Sequence, residues 1–256
     1  MSIIRNNLYI CRNIKSNKSN IYNQFSANAM TTNQTSISTY HEYILEAIYT
    51  LRHGLSFYER AKLVPPDIGS DNSMIIAEIN CRYSFLMISN SLESAANALL
   101  LSLNLDQEYY EELERTSTLV KFKLFCDFMG KRLDQGDIKF GRIKDITNCR
   151  NEFVHPKPRK ANYSIDSVTS EIKYDIKLTK NRNYPTYFSE IKPEHVLTAL
   201  EDALTFLSWV CFDICKLEIQ DGAFRLGLGL YGSTADIDII GEENNIKFDK
   251  RTFGNG

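Results

Sequence analysis

Apolar side chains recur at three- and four-residue intervals from about Ser38. Tyr40, Ile44, Ala47, Leu51, Leu55 and Tyr58 line one face of a predicted first helix, which Pro65 and Pro66 bring to an end. After Gly69, Ser70 and Asp71, the spacing of Ile75, Ile79, Leu86, Ala96, Leu99 and Leu103 predicts a very long second helix from about Ser73 to Leu103 with one broad apolar face. Asp106 reads as the N-cap of a third that runs to Met129 through Leu113, Leu119, Val120 and Leu124, with Gly130 as its C-cap. A fourth helix over Ile138–Val154 carries Phe140, Ile143, Ile146 and Phe153 inward. Pro156 stops it, because the proline ring disfavours helical geometry at His155.

Beyond Pro156 and Pro158 the period changes to two. Ile172, Tyr174, Ile176 and Leu178 alternate with Lys173, Asp175 and Lys177, which predicts a strand in a hairpin inserted between helices. Pro193 opens a last long helix with Val196, Leu200, Ala203, Leu207, Val210, Ile214 and Leu217 at three-four spacing. From Asp221 the tail alternates Phe224, Leu226, Leu228 and Leu230 before DIDII and IKF, a pattern that predicts short edge strands. The expected fold is mainly α: an antiparallel up-and-down bundle of about five helices with a small β appendage. Its helical domain spans 39–219, with 156–192 as an inserted loop and hairpin and 220–256 as a β-like tail. Residues 1–38 are rich in Asn and Ser and poor in periodic apolar positions, so a disordered segment is expected there. Being free of acidic residues, they faintly resemble a transit peptide, against which their Asn content and weak amphipathicity argue; Met30 is an alternative start.

Composition adds little to this until it is divided along the chain. The formal charge is -2, and 43% of the 256 residues are hydrophobic, which excludes a polyanion-binding tail protein and fits one domain with appendages. Residues 131–160, however, hold 9 basic and 4 acidic side chains, a place for an anionic ligand such as phosphate; a solvated basic face has the same composition. The six cysteines are scattered without a CxxC, which fits a reduced, cytoplasmic compartment. Cys211 and Cys215 lie one turn apart, yet no second half of a metal site accompanies them, and buried core thiols are the expectation. No metal and no cofactor is expected. No stretch of about 18 apolar residues, the length a membrane span needs, is evident.

One histidine of the four stands in chemically useful company: Cys149-Arg150-Asn151-Glu152-Phe153-Val154-His155. Asn151 and His155 are four apart and share a helix face; Arg150 is about 140 degrees round from His155, but its length and a frayed helix end bring it within reach of the same ligand. Such a set suffices for RNA cleavage without metal. A base takes the 2′-hydroxyl proton, an acid protonates the leaving 5′-oxygen, and a cation holds the charge on phosphorus. His155 serves either proton transfer, Arg150 grips the non-bridging oxygens, and Asn151 orients the ribose or the imidazole.

With 13 arginines and 4 histidines in the chain, an Arg followed by a nearby His arises readily by chance, so the context carries the inference. The stretch RNEFVH resembles the motif of the HEPN superfamily, an arginine followed after four to six residues by histidine and commonly by a polar residue directly after the arginine, here Asn151. The resemblance covers roughly Thr39 to Glu218 in helix layout, and departs at the 156–192 insertion and the tail. It implies a metal-independent endoribonuclease of a toxin-antitoxin or phage-defence system, with RNA as substrate. It further implies a homodimer in which two motifs face one another, and a possible antitoxin or regulatory partner. The same superfamily contains catalytically silent bundles that bind RNA or scaffold partners, and that alternative stays open. Arg142, Lys157, Arg159 and Lys160 are candidate RNA contacts.

Ser89, Asn90, Glu93 and Asn97 form a polar stripe on the second helix. From it Glu93 is a candidate to orient His155, although a hydrogen-bonded structural stripe is the plainer reading. His41, His53 and His195 have no evident partners and are expected at the surface. The segment Gly232-Ser233-Thr234-Ala235-Asp236-Ile237-Asp238 superficially resembles a nucleotidyltransferase signature, but its two elements are too close together; a turn between edge strands accounts for it.

Overall fold

The periodic segments become helices in the computed structural model, which describes residues 39–63, 72–155, 163–165, 172–174, 177–226 and 235–253. The elements are α1 (Tyr40–Lys62), α2 (Ser73–Leu101), α3 (Gln107–Glu114), α4 (Thr118–Phe128), α5 (Ile138–Val154), β1 (Tyr163–Ile165), β2 (Ile172–Tyr174), α6 (Pro193–Ser208), α7 (Ile219–Arg225) and α8 (Ala235–Asn244). All belong to one compact unit, Ser36–Gly256. The class is mainly α. The N-terminal 38 residues, Lys157, Arg159 and Lys160 lie outside the described residues.

α2 is the central helix and packs against α1, α4, α5 and α6. Its pairing with α1 is antiparallel: Thr39 Oγ1 meets Ser94 Oγ at 2.7 Å, Ser84 donates to the Ala47 carbonyl at 2.7 Å, and Gly54 faces Ala77 and Cys81. At Gly54 the two backbones approach so closely that a Cβ would stand 2.9 Å from Cys81 Sγ. The buried face of α2 therefore begins with small residues, Ala77, Cys81 and Ser84, and continues with Phe85, Ile88, Leu92, Ala95, Ala96 and Leu99. This corrects the expected face at the helix start. Ile75 and Ile79 are 54% and 56% exposed, because the turn that meets α1 at Gly54 presents Ala77 and Cys81 instead.

Two further expectations are corrected. The third helix divides into α3 and α4 at Arg115–Ser117. Thr116 turns its hydroxyl onto the Leu113 carbonyl at 2.7 Å, and Ser117 is extended, with ψ 151°; Ser and Thr compete for backbone groups and so favour helix ends. In α4 the buried positions are Lys121, Phe122, Phe125 and Cys126, while Val120 is exposed. Gly130, at φ 69°, ends the helix in the left-handed conformation, and the next amide closes back to the Cys126 carbonyl at 2.8 Å.

Among the described residues the tail is helical over Ile219–Arg225 and Ala235–Asn244, where edge strands were expected; Leu228, Leu230, Gly232, Ser233 and Thr234 lie outside the described residues. Asp236 and Asp238 occupy the first turn of α8, where carboxylates suit the positive helix end, and Ile237, Ile240 and Gly241 are buried at three-four spacing. The tail also joins the core: Ile237, Ile240, Phe248 and Phe253 pack with the bundle, and Arg52 of α1 pairs with Asp236. Arg251 ties the chain end to Asp213 at 2.9 Å and Asp249 at 2.8 Å.

β1 and β2 pair antiparallel, Ser164 opposite Lys173, within the insertion between α5 and α6. α6 opens on Pro193, and the His195 ring accepts the Lys192 amide N–H at 3.1 Å, a capping role for a residue expected at the surface; burial pushes its pKa down. Downstream, α6 widens into a π-helical turn over Trp209–Ile214. Pro193–Ile214 is apolar and long enough to cross a membrane, contrary to the sequence expectation, but 72% of its most apolar window is buried as the core of this bundle.

Two buried carboxylates fix α5, one against α6 and one against the turn at Asn181 and Arg182. Asp202 of α6, 3% exposed, accepts from Arg182 Nε at 2.6 Å, Arg142 Nη1 at 3.3 Å and the Tyr184 hydroxyl at 3.3 Å. Asp145 of α5, also 3% exposed, accepts the backbone amides of Asn181 and Arg182 at 2.6 and 2.9 Å. Removing one partner of such a set strands the others, but Arg142 and Arg182 retain 31% and 24% side-chain exposure and can partly rehydrate. Asp202→Asn is therefore expected to lower unfolding free energy by about 2–4 kcal/mol, measured by urea denaturation against the parent chain.

Candidate functional site

α5 presents two different faces. Phe140, Ile143, Ile146 and Cys149 are buried, which turns Lys144, Asn148 and Asn151 outward and leaves Arg150 half-buried at the boundary. The helix starts on Asp137, whose carboxylate accepts the Lys139 amide at 2.8 Å. It ends at Val154; His155, at φ −123° and ψ 63°, has left helical geometry, and its amide still donates to the Asn151 carbonyl at 3.0 Å.

Arg150 sits where two clefts meet. The larger, about 440 Å³, lies between the start of α1, the second half of α2, and α3, and is lined by Tyr43, Asn90, Glu93, Asn97, Tyr110 and Arg150 among others. The smaller, about 250 Å³, opens toward the start of α4 and is lined by Ser117, Thr118, Lys144, Thr147 and Asn151, again with Glu93 and Arg150. The partition is an ion pair, Arg150 Nη2 to Glu93 Oε2 at 3.5 Å, and the guanidinium also donates to Asn151 Oδ1 at 3.3 Å. With side chains 28% and 42% exposed, a pair of this kind contributes at most about 1 kcal/mol, so Arg150 is held in place yet can turn to an incoming phosphate at small cost.

Of the residues singled out in the sequence, Arg150, Asn151 and Glu93 are thus brought together. Glu93 meets Arg150, where the sequence suggested His155. His155 is exposed and lines neither of the clefts that Arg150 lines. Arg142 is engaged with buried Asp202 and so serves the α5–α6 lock. Asn97 of the polar stripe lines the larger cleft, and Asn90 and Ser94 stand with it.

The residue sequence reasoning missed is Lys121. Its side chain is the one lysine among the buried polar groups of the described residues, 1% exposed, and Nζ donates to Asn97 Oδ1 at 2.7 Å. The signal was present: Lys121 stands on the same stripe as Phe122, Phe125 and Cys126, so a cation had to enter the core. Burial lowers its pKa, offset in part by Glu93 and Glu114. Tyr43, Tyr110 and Lys144 were also missed, since nothing in their local spacing marks a cleft.

Thiol chemistry does not belong to this site. Burial pushes Cys149, beside Arg150, up to about 12, and Cys126 and Cys215, with sulfurs 3.8 Å apart, are buried away from solvent. Among the described residues no group of three or more His, Cys, Asp and Glu is placed to hold a metal ion. Comparison of the chain with protein-family models, with curated proteins and with solved structures returns no match.

A lowered lysine pKa means that the ammonium is disfavoured in the fold relative to the unfolded chain. Its cost is fully present near neutrality, where Lys121 is charged in both states, and is relieved as pH rises through the lowered folded value toward the ordinary 10.5. Lys121→Met, an apolar chain of similar length, should therefore match or exceed the parent's stability at pH 7 by up to about 1 kcal/mol. That advantage should shrink as pH is raised toward 10, as read by urea denaturation at each pH.

Proposed function

We propose that the protein is a HEPN-type, metal-independent endoribonuclease that acts as a homodimer, in the cytoplasm, within a toxin-antitoxin or phage-defence system. The observation that carries this reading is the position of Arg150: a guanidinium at the meeting of two polar clefts, held by Glu93 and Asn151, with Lys144 lining the smaller cleft. A phosphodiester there meets a bidentate cation. The 2′-oxygen attacks phosphorus as its proton passes to a base, the P–O5′ bond breaks, and an acid protonates the departing 5′-oxygen. The products are a 2′,3′-cyclic phosphate and a 5′-hydroxyl. Arg150 stabilises the charge on the non-bridging oxygens, Asn151 orients the ribose, and His155 performs a proton transfer.

One histidine supplies one of the two transfers. Because His155 does not share Arg150's clefts within the chain, the composite arrangement, in which a second copy brings its own motif, supplies the other. The separation of the two groups equally favours a second reading, a bundle that binds RNA without cutting it, in which Arg150 and Lys144 hold phosphate and His155 has no chemical role.

Incubation of the purified chain with total RNA and tRNA in EDTA separates the readings. The nuclease reading expects chelator-resistant fragments with cyclic phosphate ends. Arg150→Ala should lower the rate by about 10²–10³ and His155→Ala by about 10²–10⁴, with the circular-dichroism melting curve retained. RNA left intact across substrates, yet retarded on a gel through Arg150, supports the binding reading.

A further inference from the structure

The larger cleft contains more than the proposed chemistry of Arg150 uses, and the buried Lys121 explains how it is set. An ammonium group only donates, so the Asn97 amide must turn Oδ1 toward Nζ, at 2.7 Å. Its NH2 group is thereby committed away from the lysine. Asn97 lines the cleft, and the orientation that is ordinarily ambiguous for an amide is fixed here by a buried charge. One helical turn earlier on α2, Glu93 lines the same cleft. Its carboxylate has about four lone-pair sites, of which Arg150 takes one on Oε2. Glu93 and Asn97 thus set two acceptor oxygens next to one amide donor in a lining that α2 completes with Asn90 and Ser94.

The volume, about 440 Å³, lies within the range of roughly 300–1,000 Å³ of small-ligand sites. Two tyrosines, Tyr43 from α1 and Tyr110 from α3, stand in its walls, and aromatic rings are the usual platform for an unstacked base. Both are half-buried, and Tyr110 also packs against the core. A cation, Arg150, lies at one end, where a nucleotide's phosphate would be.

We propose that this cleft is a guanine-binding subsite, in which Glu93 accepts from N1–H and the exocyclic N2 amino group, and Asn97, oriented by Lys121, donates to O6. Guanine alone among the four bases presents two adjacent donors beside an acceptor on its Watson–Crick edge. Uracil and adenine offer one donor each, and set an acceptor or a C–H against the second carboxylate oxygen; cytosine sets two acceptors against it. The inference rests on the reading that the Arg150 face engages RNA, and specifies which nucleotide flanks the phosphate held there.

The full-length chain is titrated by calorimetry with 5′-GMP, 5′-AMP, 5′-CMP and 5′-UMP. GMP is expected to bind roughly tenfold or more tighter than each of the others, the discrimination of one good bidentate contact. Asn97→Asp, which replaces the donor by an acceptor at nearly constant volume, and Lys121→Met, which frees the amide to flip, should both collapse that preference while their thermal melts stay cooperative. Equal binding of the four, tighter binding of another nucleotide, no GMP binding, or a preference untouched in both folded variants overturns the proposal. GMP-selective binding in a chain that leaves RNA intact sustains the subsite while removing the nuclease reading. Cyclic-phosphate products cut without regard to guanine remove the subsite and sustain the nuclease.

Discussion

The Asp202 carboxylate, buried between α5 and α6, is the constraint on which the arrangement of the site depends. A charge with 3% exposure is costly unless every lone pair is met, and here Arg182, Arg142 and Tyr184 meet them from three directions. The pairing raises the pKa of Arg182, and burial, reinforced by the Asp202 charge, raises that of Tyr184. Arg142 belongs to α5 and Arg182 to a turn that precedes α6, so one carboxylate fixes both the rotation of α5 about its axis and the seat of that turn. Asp145 repeats the device from the α5 side by accepting two amides of the same turn. Apolar packing alone would tolerate small rotations of α5; this set does not. Arg150, five residues beyond Asp145 and so about 140 degrees round α5 from it, faces α2 and Glu93.

Much of this architecture was legible in the sequence, and the failures share a physical cause. The end of α5 followed from Pro156 and the start of α6 from Pro193, since prolines act locally. The buried face of α2 did not follow from the largest apolar residues, because its contact with α1 is set by how near two backbones can come. Ala77, Cys81 and Ser84 opposite Gly54 are a packing surface that hydrophobicity counts undervalue. The tail misled in the other direction. Phe224 and Leu226 alternate as a strand would, but Phe224 is exposed and Leu226 is buried at the end of α7, so a period-two pair was cut from a helical turn.

At the site, Arg150 with Asn151 was readable because the motif is local, and Glu93 was found as a neighbour with its partner misassigned. Arg142 could not be told from a surface cation: its partner Asp202 lies 60 residues on. Lys121 was the opposite case, a charge in plain view on an apolar stripe. Its effect on Asn97 depends on α2 and α4 lying side by side, which no spacing within α4 contains.

The remaining separation, between Arg150 and His155, has a consequence for how such a site must work. In-line displacement at phosphorus places the entering and leaving oxygens on opposite sides, so base and acid must approach from opposite sides too. A residue at the C-cap of α5, exposed and past the last helical turn, cannot reach both sides of a phosphate gripped by Arg150 at the α2 side. The proposed nuclease therefore requires a second imidazole, and the motif's position at a helix end, clear of the core, is where a second copy can bring one without disturbing the Asp202 lock. In that arrangement the chain's own fold fixes the guanidinium and the base-sized cleft, and association alone completes the proton-transfer pair. Activity would then scale with the dimer population while nucleotide binding to the cleft would not.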